Sequence, residues 1–547
     1  MPRAPLPRPS TRVRPSARRR AGLVVALVTV TGTAACTGSP SPAPTGTGPA
    51  SSSASAAATP TAAALAPVTV PVTLKGTSVD VEVGPVAVDG DVGVLRIAAR
   101  TSWPDLMSAF DDPFAGLGPT GVRLLDLDAG TVATVATDDT GNTVTTHPTG
   151  DRGPATDAAQ AAAGEGVAIV HAVFRAPSTP TTTVMLPGGG VVEGVPVVPA
   201  AEAGTLTVPV AEIDDDPVTG LPVSTLTTYE EREGGDVRTR TEEDEVVTTV
   251  SADVLFASDS ATLSPKADAA LRSAAQDLAA YDGGTLTVVG HTDDVDTDTY
   301  NLALSRKRAQ AVARRLADLV DLGAFEVEVE GKGEQEPVAT GRSDRARQLN
   351  RRVELVLVPS APAAPPEAEA DDAASTGTLP DTDGPTAPGP TGLRLDDGDD
   401  ALDVRLAEVR RVGRFLVGEL EVTNAGPSAV TGVSAFAAGA WDARGAFTPT
   451  LQFAATKLTV LDGARRLYPV DYLVDSTSVE DARRPLADQV VGWLDPGAST
   501  VVTVVWPDVP GARTVTVDSP QLVKERQDDL RYGGPPFRLT DVPVTDG

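Results

Sequence analysis

The stretch GHTDDVDTDTYNLALSRKRAQAV, from Gly290 to Val312, crowds acidic residues into a short segment and follows them with a run of basic residues. The acidic residues are Asp293, Asp294, Asp296 and Asp298. The basic residues are Arg306, Lys307 and Arg308. The apolar run TLTVVG just before this stretch predicts a strand, and the sequence from about Tyr300 to Asp321 predicts a helix. We therefore expect a strand, an acidic loop and a helix in succession.

The sequence on both sides continues this alternation. Ahead of it, VLF at residues 254–256 predicts a strand fragment, and SPKADAALRSAAQDLAAY predicts a helix that Ser264 caps and Pro265 begins. Behind it, FEVEVEG and RRVELVLV predict strands, and SDRARQLN between them predicts a short helix. The pattern predicts a central α+β domain at residues 245–359, with helices packed on one face of a mixed sheet.

The segments on either side of the central domain are rich in strand signals. Residues 67–205 contain short Val-rich runs such as VTVPVTL and VGVLRIAA, bounded by Gly, Pro or Asp, and residues 392–547 have the same character. Such runs predict two all-β, sandwich-like domains, which makes the whole chain a multidomain protein. We interpret residues 206–244 as a connecting segment.

The two flanking segments also align with one another in the same order. The aligned pairs are VEVGPVAVDGDVGVLRIAART with VRLAEVRRVGRFLVGELEVTN, VRLLDLDAGTVATVATDD with TKLTVLDGARRLYPVDYLVDS, and VFRAPSTPTTTVMLPG with VWPDVPGARTVTVDSP. We therefore expect two related copies around a central domain of a different kind.

The N-terminus has the pattern of a targeting signal. Arg18, Arg19 and Arg20 precede AGLVVALVTV, an apolar run too short to span a bilayer, and this predicts a signal peptide over residues 1–35. The single cysteine, Cys36, closes TAAC, which resembles the lipobox of bacterial lipoproteins, although Thr33 stands where Leu or Val is usual. The resemblance implies that Cys36 is lipidated; the alternative is an ordinary secreted protein with a stray cysteine.

Two further segments have the composition of linkers. Residues 36–66 are almost entirely Ser, Thr, Ala, Pro and Gly, and residues 360–391 are rich in proline and acids. Neither composition provides enough apolar surface to form a core. We predict a disordered tether for the first segment and a linker for the second.

Four blocks of the central domain resemble a known family. In order, VLFASDSATLSPKADAAL, GHTDDVDTDTYNLALSRKRAQAV, GKGEQEPVA and NRRVEL resemble the C-terminal domain of outer membrane protein A, the OmpA-like peptidoglycan-binding family. The blocks lie within residues 251–358, about a fifth of the chain. The resemblance implies noncovalent binding of the peptide stem of peptidoglycan through the charged end of its diaminopimelate residue.

The resemblance also implies roles for single residues. Asp293 matches the aspartate that binds the ligand ammonium, and Arg308 matches the arginine that binds its carboxylate. Asn301 matches an asparagine that holds the loop or contacts the ligand. Thr292 is expected to support the site, as is Arg352, which matches an arginine that braces the acidic loop. The chemistry agrees, because a planar guanidinium meets a carboxylate with two parallel hydrogen bonds.

Two positions depart from the family pattern. Ala257 stands where an aspartate often contacts the ligand, although Asp259 follows two residues later, and Asp296 replaces a glycine usual in the loop. The acidic loop is consistent with a stem whose third residue ends in a bare cation, such as ornithine or lysine, and equally with the general acidity of the chain. The sequence leaves these alternatives open.

A metal site is not expected from the sequence. Asp294, Asp296 and Asp298 have the spacing of the first three ligands of an EF-hand, but Thr299 replaces its glycine and Ser305 its final glutamate. The three histidines, His147, His171 and His291, are too scattered for a zinc cluster.

Catalysis is not expected either. The sequence contains no G-x-S-x-G or H-E-x-x-H stretch, so we predict no enzyme activity and no cofactor. Four aromatic residues of the second flanking segment are predicted to lie in its core rather than to bind carbohydrate: Trp493, Trp506, Tyr468 and Tyr472.

These features favour a lipid-anchored protein of the bacterial cell envelope that binds peptidoglycan. The formal net charge of −30 opposes binding to nucleic acid. The sandwich-like domains are expected to contact other envelope proteins. The alternative is an adhesin or assembly scaffold in which the OmpA-like fold is a spacer, an interpretation that the departures at Ala257 and Asp296 suggest.

Overall fold

The computed structural model describes residues 65–547 except 75–76, 113–117, 147–153, 233–234, 340, 362–377, 399, 432–435, 437–453, 475–482, 489–492 and 521–533. All described residues belong to one compact unit, Pro60–Gly547. The predicted signal peptide, Cys36 and the tether up to residue 64 lie outside the described residues, as do residues 362–377 of the predicted linker at 360–391. Within the described part, no helix is both long and apolar enough to cross a membrane.

The first β region precedes the central domain. Its strands are β1 (Val68–Leu74), β2 (Thr77–Asp89), β3 (Val92–Ala99), β4 (Arg123–Asp126), β5 (Thr131–Ala133), β6 (Thr137–Asp138), β7 (Ala168–Arg175), β8 (Thr181–Leu186), β9 (Gly190–Pro199) and β10 (Val218–Gly220). Its helices are α1 (Trp103–Ala109), α2 (Pro154–Ala163) and α3 (Ala200–Ala203). The expectation of an all-β domain is therefore wrong for this region. Helix α1 forms because Ser102 caps it, with its Oγ accepting from the Asp105 amide, and Pro104 lies in its first turn.

The central region contains both strands and helices. Its strands are β11 (Val223–Arg232), β12 (Val237–Thr241), β13 (Val246–Ser251), β14 (Gly284–His291), β15 (Phe325–Gly333) and β16 (Arg352–Pro359). Its helices are α4 (Ala252–Leu255), α5 (Ala267–Leu278), α6 (Asp298–Ala317) and α7 (Asp344–Asn350).

The second β region follows. Its strands are β17 (Thr386–Pro388), β18 (Leu393–Asp397), β19 (Asp400–Arg405), β20 (Val409–Val412), β21 (Phe415–Asn424), β22 (Val430–Thr431), β23 (Thr459–Asp462), β24 (Arg465–Leu467), β25 (Asp471–Leu473), β26 (Arg483–Pro485), β27 (Trp493–Leu494), β28 (Ser499–Pro507), β29 (Thr514–Ser519) and β30 (Phe537–Asp546). Trp506, Tyr472 and Tyr468 are buried here, as predicted, whereas the Trp493 side chain lies outside the described residues.

The central sheet is mixed, as the sequence predicts. Strand β16 pairs antiparallel with both β13 and β14, and β14 pairs in parallel with β15. Leu286 and Val288 of β14 join a core with Leu271 of α5 and Val312 of α6, so both helices pack against this face of the sheet. The sequence VLF is not a strand: it lies in α4 and the residue after it, and Phe256 forms an isolated bridge with Leu263. The strand that precedes this turn is β13, in which Val246, Thr248 and Val250 alternate with less buried residues and supply its inner face.

Strand β11 joins all three regions. It pairs with β12 of the central sheet, with β5 of the first β region, and with β24 and β25 of the second. Residues 206–244 are therefore not a simple connecting segment. Within this segment Glu230 meets Arg465 at 3.3 Å and Arg232 meets Asp277 at 3.3 Å. The charges are paired across the junctions rather than exposed in a linker.

The two β regions share the same strand pairings. In the first region β2 pairs with β3, β3 with β7, β4 with β8, β8 with β9, and β9 runs parallel to β2. In the second region the equivalent pairs are β20 with β21, β21 with β28, β23 with β29, β29 with β30, and β30 runs parallel to β20. These matched pairs support the duplication that the sequence alignment predicts.

Hydrogen bonds outside the strands repeat as well. In the first copy the Val144 amide donates to Ala136 at 2.8 Å, and the Val173 amide donates to Val144 at 3.1 Å. In the second copy the Leu486 amide donates to Val470 at 2.8 Å, and the Val505 amide donates to Leu486 at 3.1 Å. The copies therefore agree in irregular segments, where strand propensity alone would not make them alike.

The copies also pack against each other. Each has its own core, and a further cluster of buried side chains contains residues of both, among them Leu125 and Met185 of the first and Phe415, Tyr472 and Leu486 of the second. Burial of apolar side chains between two regions holds them in one arrangement.

Candidate functional site

Close packing between α6 and the sheet fixes the position of the predicted site. A Cβ at Gly290 of β14 would overlap the backbone oxygen of Ser305, and one at Gly331 of β15 would overlap the backbone of Arg306. The amide of Gly333 donates to Ser305 Oγ at 3.0 Å, and Thr297 Oγ1 caps the helix by accepting from the Tyr300 amide at 3.4 Å. Helix α6 therefore lies directly against β14 and β15, and its inward side chains reach the ends of those strands.

Arg308 is a buried cation on this inward face. Its residue is 5% exposed, its Nε donates to the Ser260 carbonyl at 2.9 Å, and its guanidinium lies 5.3 Å from the centre of the Phe256 ring. Burial lowers the pKa of Arg308, although Asp253 and Asp259 oppose this effect. Within the described part of the chain its Nη1 and Nη2 atoms make no hydrogen bond. Arg308 therefore has two donors available for an anionic group.

Asp293 lies just after β14 and is held by a neighbouring arginine. Its Oδ2 accepts from Arg351 Nη1 at 2.7 Å, and its Oδ1 accepts a long bond of 3.4 Å from the Val295 amide. Arg351 also binds Asp253 through two bonds of 2.8 and 2.7 Å. Asp293 is one of the charges that act on the pKa of Arg308, which places the predicted acid and base in one electrostatic site.

Asn301 connects this aspartate to β15. It is 2% exposed, and its Nδ2 donates to the Asp293 carbonyl at 3.2 Å and to Glu334 Oε2 at 2.6 Å. Thr292 is also buried; its amide donates to Gly333 at 2.9 Å, and its Oγ1 has no hydrogen-bond partner within the described residues. The structure thus brings Thr292, Asp293, Asn301 and Arg308 together.

Arg352 contacts other groups than the sequence suggested. Its guanidinium donates to Glu354 at 2.6 Å, to the Glu336 carbonyl at 3.1 Å and to the Asn350 carbonyl at 3.4 Å. Glu354 is partly buried, which raises its pKa, but the His291 ring at 3.5 Å and Arg352 hold that pKa well below its usual range. The arginine that reaches the predicted acidic loop is Arg351, because α7 ends at Asn350 and the following two side chains point to different partners.

Sequence reasoning did not single out Arg351, Glu334 or Asp253. The pair of arginines in NRRVE was a signal for Arg351, but the sequence alone does not say which of the two faces the loop. Glu334 lies in the matched block GKGEQEPVA. Asp253 precedes the matched blocks by one residue and gives no signal of its own.

Position 257, one of the two departures from the family pattern, has nearby acids in the structure, whereas Asp296, the other departure, is exposed. Asp259 adopts a left-handed backbone conformation with φ of 53°, and the chain then turns so that the Ser260 carbonyl meets Arg308. Asp253 and Asp259 both act on the pKa of Arg308, so negative charge lies nearby although position 257 is alanine. In the acidic loop, Asp294 binds Arg347 at 2.7 Å and Arg342 at 3.0 Å, and Arg347 is the main cause that lowers its pKa.

Comparison with known proteins places the site in a family. The OmpA family model matches residues 255–351. Outer membrane protein A of Bordetella avium is 36% identical over 110 residues, which cover 20% of this chain and 56% of that protein. The peptidoglycan-associated lipoprotein of Pseudomonas putida is 42% identical over 100 residues, which cover 18% of this chain and 59% of that protein.

Among solved structures, the cell wall anchor of the T6SS from Pseudomonas aeruginosa is 37% identical, with 23% of this chain and 88% of that chain covered and a TM-score of 0.20. The chain spans little more than half the length of the two curated relatives. The family match contains α5, α6 and the residues that surround Arg308. Residues 255–351 of this chain form an OmpA family domain.

Proposed function

We propose that the OmpA family domain binds the peptide stem of peptidoglycan, with Arg308 on a ligand carboxylate and Asp293 on a ligand ammonium. The observation that carries this proposal is the buried Arg308 guanidinium, whose two Nη atoms make no hydrogen bond within the described residues. Neither Nη atom is among the fully buried unpaired atoms of the described residues, so both are accessible, and two free donors of a planar guanidinium suit a ligand carboxylate. The printed name of one relative, a peptidoglycan-associated lipoprotein, supports the same ligand.

The same arrangement favours diaminopimelate over a stem that ends in a bare ammonium. Diaminopimelate offers a carboxylate and an ammonium on one carbon, which matches the pair of Arg308 and Asp293. Ornithine or lysine at the third stem position would offer the ammonium alone and would leave the Arg308 Nη atoms without a ligand carboxylate. A charge-assisted hydrogen bond contributes about 1.5–3 kcal/mol, so this difference corresponds to at least tenfold in affinity.

Co-sedimentation with purified peptidoglycan tests the proposal. The chain from residue 37 onward should pellet with walls that contain diaminopimelate, and Asp293→Ala or Arg308→Ala should each reduce the bound fraction at least tenfold. Lys307→Ala is the matched control, because Lys307 precedes Arg308 on α6 but is exposed. Failure of the folded native chain to pellet would overturn the proposal for that wall type.

We further propose that the chain is a lipoprotein of the bacterial cell envelope, anchored at Cys36, and that its two β regions are related sandwich-like domains that contact envelope proteins. Tethering to a membrane near the wall supplies a high effective concentration, so modest affinity would suffice. The alternative is a scaffold in which the OmpA family domain is a spacer. Its support is the replacement of two family residues, at Ala257 and Asp296. The co-sedimentation experiment separates the two, since a spacer would not pellet with the wall.

A further inference from the structure

A small cavity lies where the two β regions meet. It has a volume of about 40 Å³ and is lined from the first copy by Asp111, Asp112 and Arg123 and from the second by Leu486 and Asp488, among others. A volume of this size holds a few water molecules or a single ion. The cavity is far in sequence from the OmpA family domain and shares none of its site residues.

Most of the charge around the cavity is already compensated. Arg123 Nη2 binds Asp112 Oδ2 at 3.2 Å, its Nε donates to Tyr472 Oη at 2.5 Å, and its Nη1 donates to the carbonyls of Thr120 and Val122. The positive charge of Arg123 is therefore neutralised by Asp112, and its remaining donors bind Tyr472 of the second copy and carbonyls of the first.

Asp488 is not compensated in this way. The residue is 2% exposed, and its Oδ2 accepts from the Thr503 amide at 2.7 Å. Its Oδ1 is buried and makes no hydrogen bond of ordinary geometry within the described residues, although the Gly188 amide and the Thr503 hydroxyl lie close enough to lower the pKa of the carboxyl. Burial is the main cause that raises the pKa of Asp488, Glu419 adds to it, and the amides of Thr503 and Gly188 oppose it. A buried carboxylate oxygen of this kind needs a proton, a donor such as water, or a cation.

The first copy shows what the fold itself requires at this position. Thr146 is the equivalent of Asp488: its amide donates to the His171 carbonyl at 2.9 Å, and its Oγ1 accepts from the His171 amide at 2.8 Å. In the second copy the Asp488 amide donates to the Thr503 carbonyl at 2.8 Å, and Oδ2 accepts from the Thr503 amide. A threonine hydroxyl therefore makes the same structural bond. The structural bond uses only Oδ2 of Asp488, so the fold does not require Oδ1.

We propose that this cavity binds one small cation of the oxygen-preferring class, with Asp488 Oδ1 as its charged ligand. Half-buried Asp111 provides a second carboxylate at the cavity. Hard cations such as calcium and magnesium take carboxylate oxygens together with water, and the carboxylates of Asp111 and Asp488 line this cavity. Because the cavity is lined by both copies, the bound cation would tie them together.

The test uses the full chain, stripped of metal with a chelator and titrated with calcium at pH 8 by calorimetry, with magnesium and potassium as parallel probes. The wild-type chain should take up one more calcium ion than Asp488→Thr, and calcium should raise the melting temperature of the wild type by several degrees more than that of the variant. Asp488→Thr introduces the residue type found at the equivalent position of the first copy, so we expect the variant to fold. If it does not fold, Asp488→Asn replaces it in the same experiment.

A second group of carboxylates provides the control. Oxygens of Asp138, Asp214 and Asp216 lie within 4.8 Å of one another on the first β region, so they could also take up calcium. Asp214→Asn should leave the Asp488-dependent ion in place. Equal uptake by the wild type and Asp488→Thr, or no uptake of any of the three cations, would overturn the proposal and leave Asp488 as a protonated carboxyl.

Discussion

Arg351 donates a hydrogen bond from Nη1 to Asp293 Oδ2 at 2.7 Å, and the same guanidinium binds Asp253 through Nε and Nη2. Hydrogen bonds to Asp253 and Asp293 raise the pKa of Arg351, so this cation is permanent. The bridge occupies one oxygen of Asp293 and leaves Oδ1 with a single long bond from the Val295 amide. Oδ1 is therefore the oxygen that we expect to meet the ligand ammonium, opposite the carboxylate held by Arg308.

Replacing Arg351 by alanine should weaken peptidoglycan binding. Without the bridge, Asp293 loses a charge-assisted hydrogen bond of about 1.5–3 kcal/mol that holds its carboxylate in place, so we expect roughly tenfold weaker binding. The measurement is co-sedimentation over a series of wall concentrations. Arg347→Ala, which removes the partner of Asp294 instead, is the control and should change binding less. Equal losses in the two variants would contradict a specific role for Arg351.

Replacing Gly290 by alanine should destabilise the domain. The added Cβ would overlap the Ser305 backbone, and overpacking of this kind costs about 1–3 kcal/mol. The free energy of unfolding measured in urea should fall by that amount, and wall binding should weaken because α6 carries Arg308. Gly323→Ala is the control, since a Cβ there meets only the flexible Asp321 side chain. An unchanged urea midpoint for Gly290→Ala would contradict the packing described for α6.

The free energy of unfolding should fall as pH rises from about 4 to about 7, in part because of Asp488. Its pKa is raised from 3.8 to about 7, chiefly by burial, so within this window the folded chain retains a proton that the unfolded chain has lost. The free energy of unfolding lost through Asp488 grows by at most about 1.4 kcal/mol per pH unit. The loss stops growing once the pH exceeds the pKa of Asp488 in the folded chain. Asp488→Asn should flatten this slope in chelator-containing buffer, as urea unfolding at several pH values would measure. The same slope in both proteins would contradict the assignment.

The OmpA family domain should depend on β12 for its stability. A fragment of residues 245–359, the boundaries that the sequence suggests, keeps the pairing of β13 with β16 but lacks β12, so β13 becomes an edge strand. A fragment that begins at residue 222 retains β11 and β12, so it should unfold at a higher urea concentration. Identical midpoints for the two fragments would show that the β11–β12 hairpin adds nothing to the domain.

Cys36 should hold the chain to the membrane. If the cysteine is lipidated, the native chain should sediment with membranes and Cys36→Ser should appear in the soluble fraction. Mass spectrometry of the N-terminal peptide would show the attached lipid directly. Membrane association that is unchanged in Cys36→Ser would contradict the proposed anchor.

Local sequence patterns predicted the elements that carry the site, but not the contacts between distant elements. Apolar spacing indicated α5 and α6. Helix α5 begins at Ala267 rather than at Pro265, and Ser264 Oγ accepts from the Lys266 and Ala267 amides just ahead of it. The strand assigned to VLF was wrong, because three apolar residues fit a buried helical turn equally well.

Contacts formed by folding explain the rest. Strand β11 was missed because its charged side chains find partners, such as Arg465 for Glu230, that lie more than two hundred residues away. Arg351 was missed because adjacent arginines carry no mark of which one faces the loop. The duplication could be predicted, since the two copies repeat the order of their strands. The extra oxygen of Asp488 could be recognised only by comparing the hydrogen bonds of Asp488 with those of Thr146 in the first copy.

The most direct test of the account is calorimetric titration of the full chain with two stem peptides that differ only in whether the third residue is diaminopimelate or lysine. We expect the diaminopimelate peptide to bind at least tenfold more tightly, and Arg308→Lys to abolish this preference, because lysine keeps the charge but lacks the planar fork. Equal affinity for the two peptides, or an unchanged preference in Arg308→Lys, would contradict the central claim that Arg308 binds a ligand carboxylate.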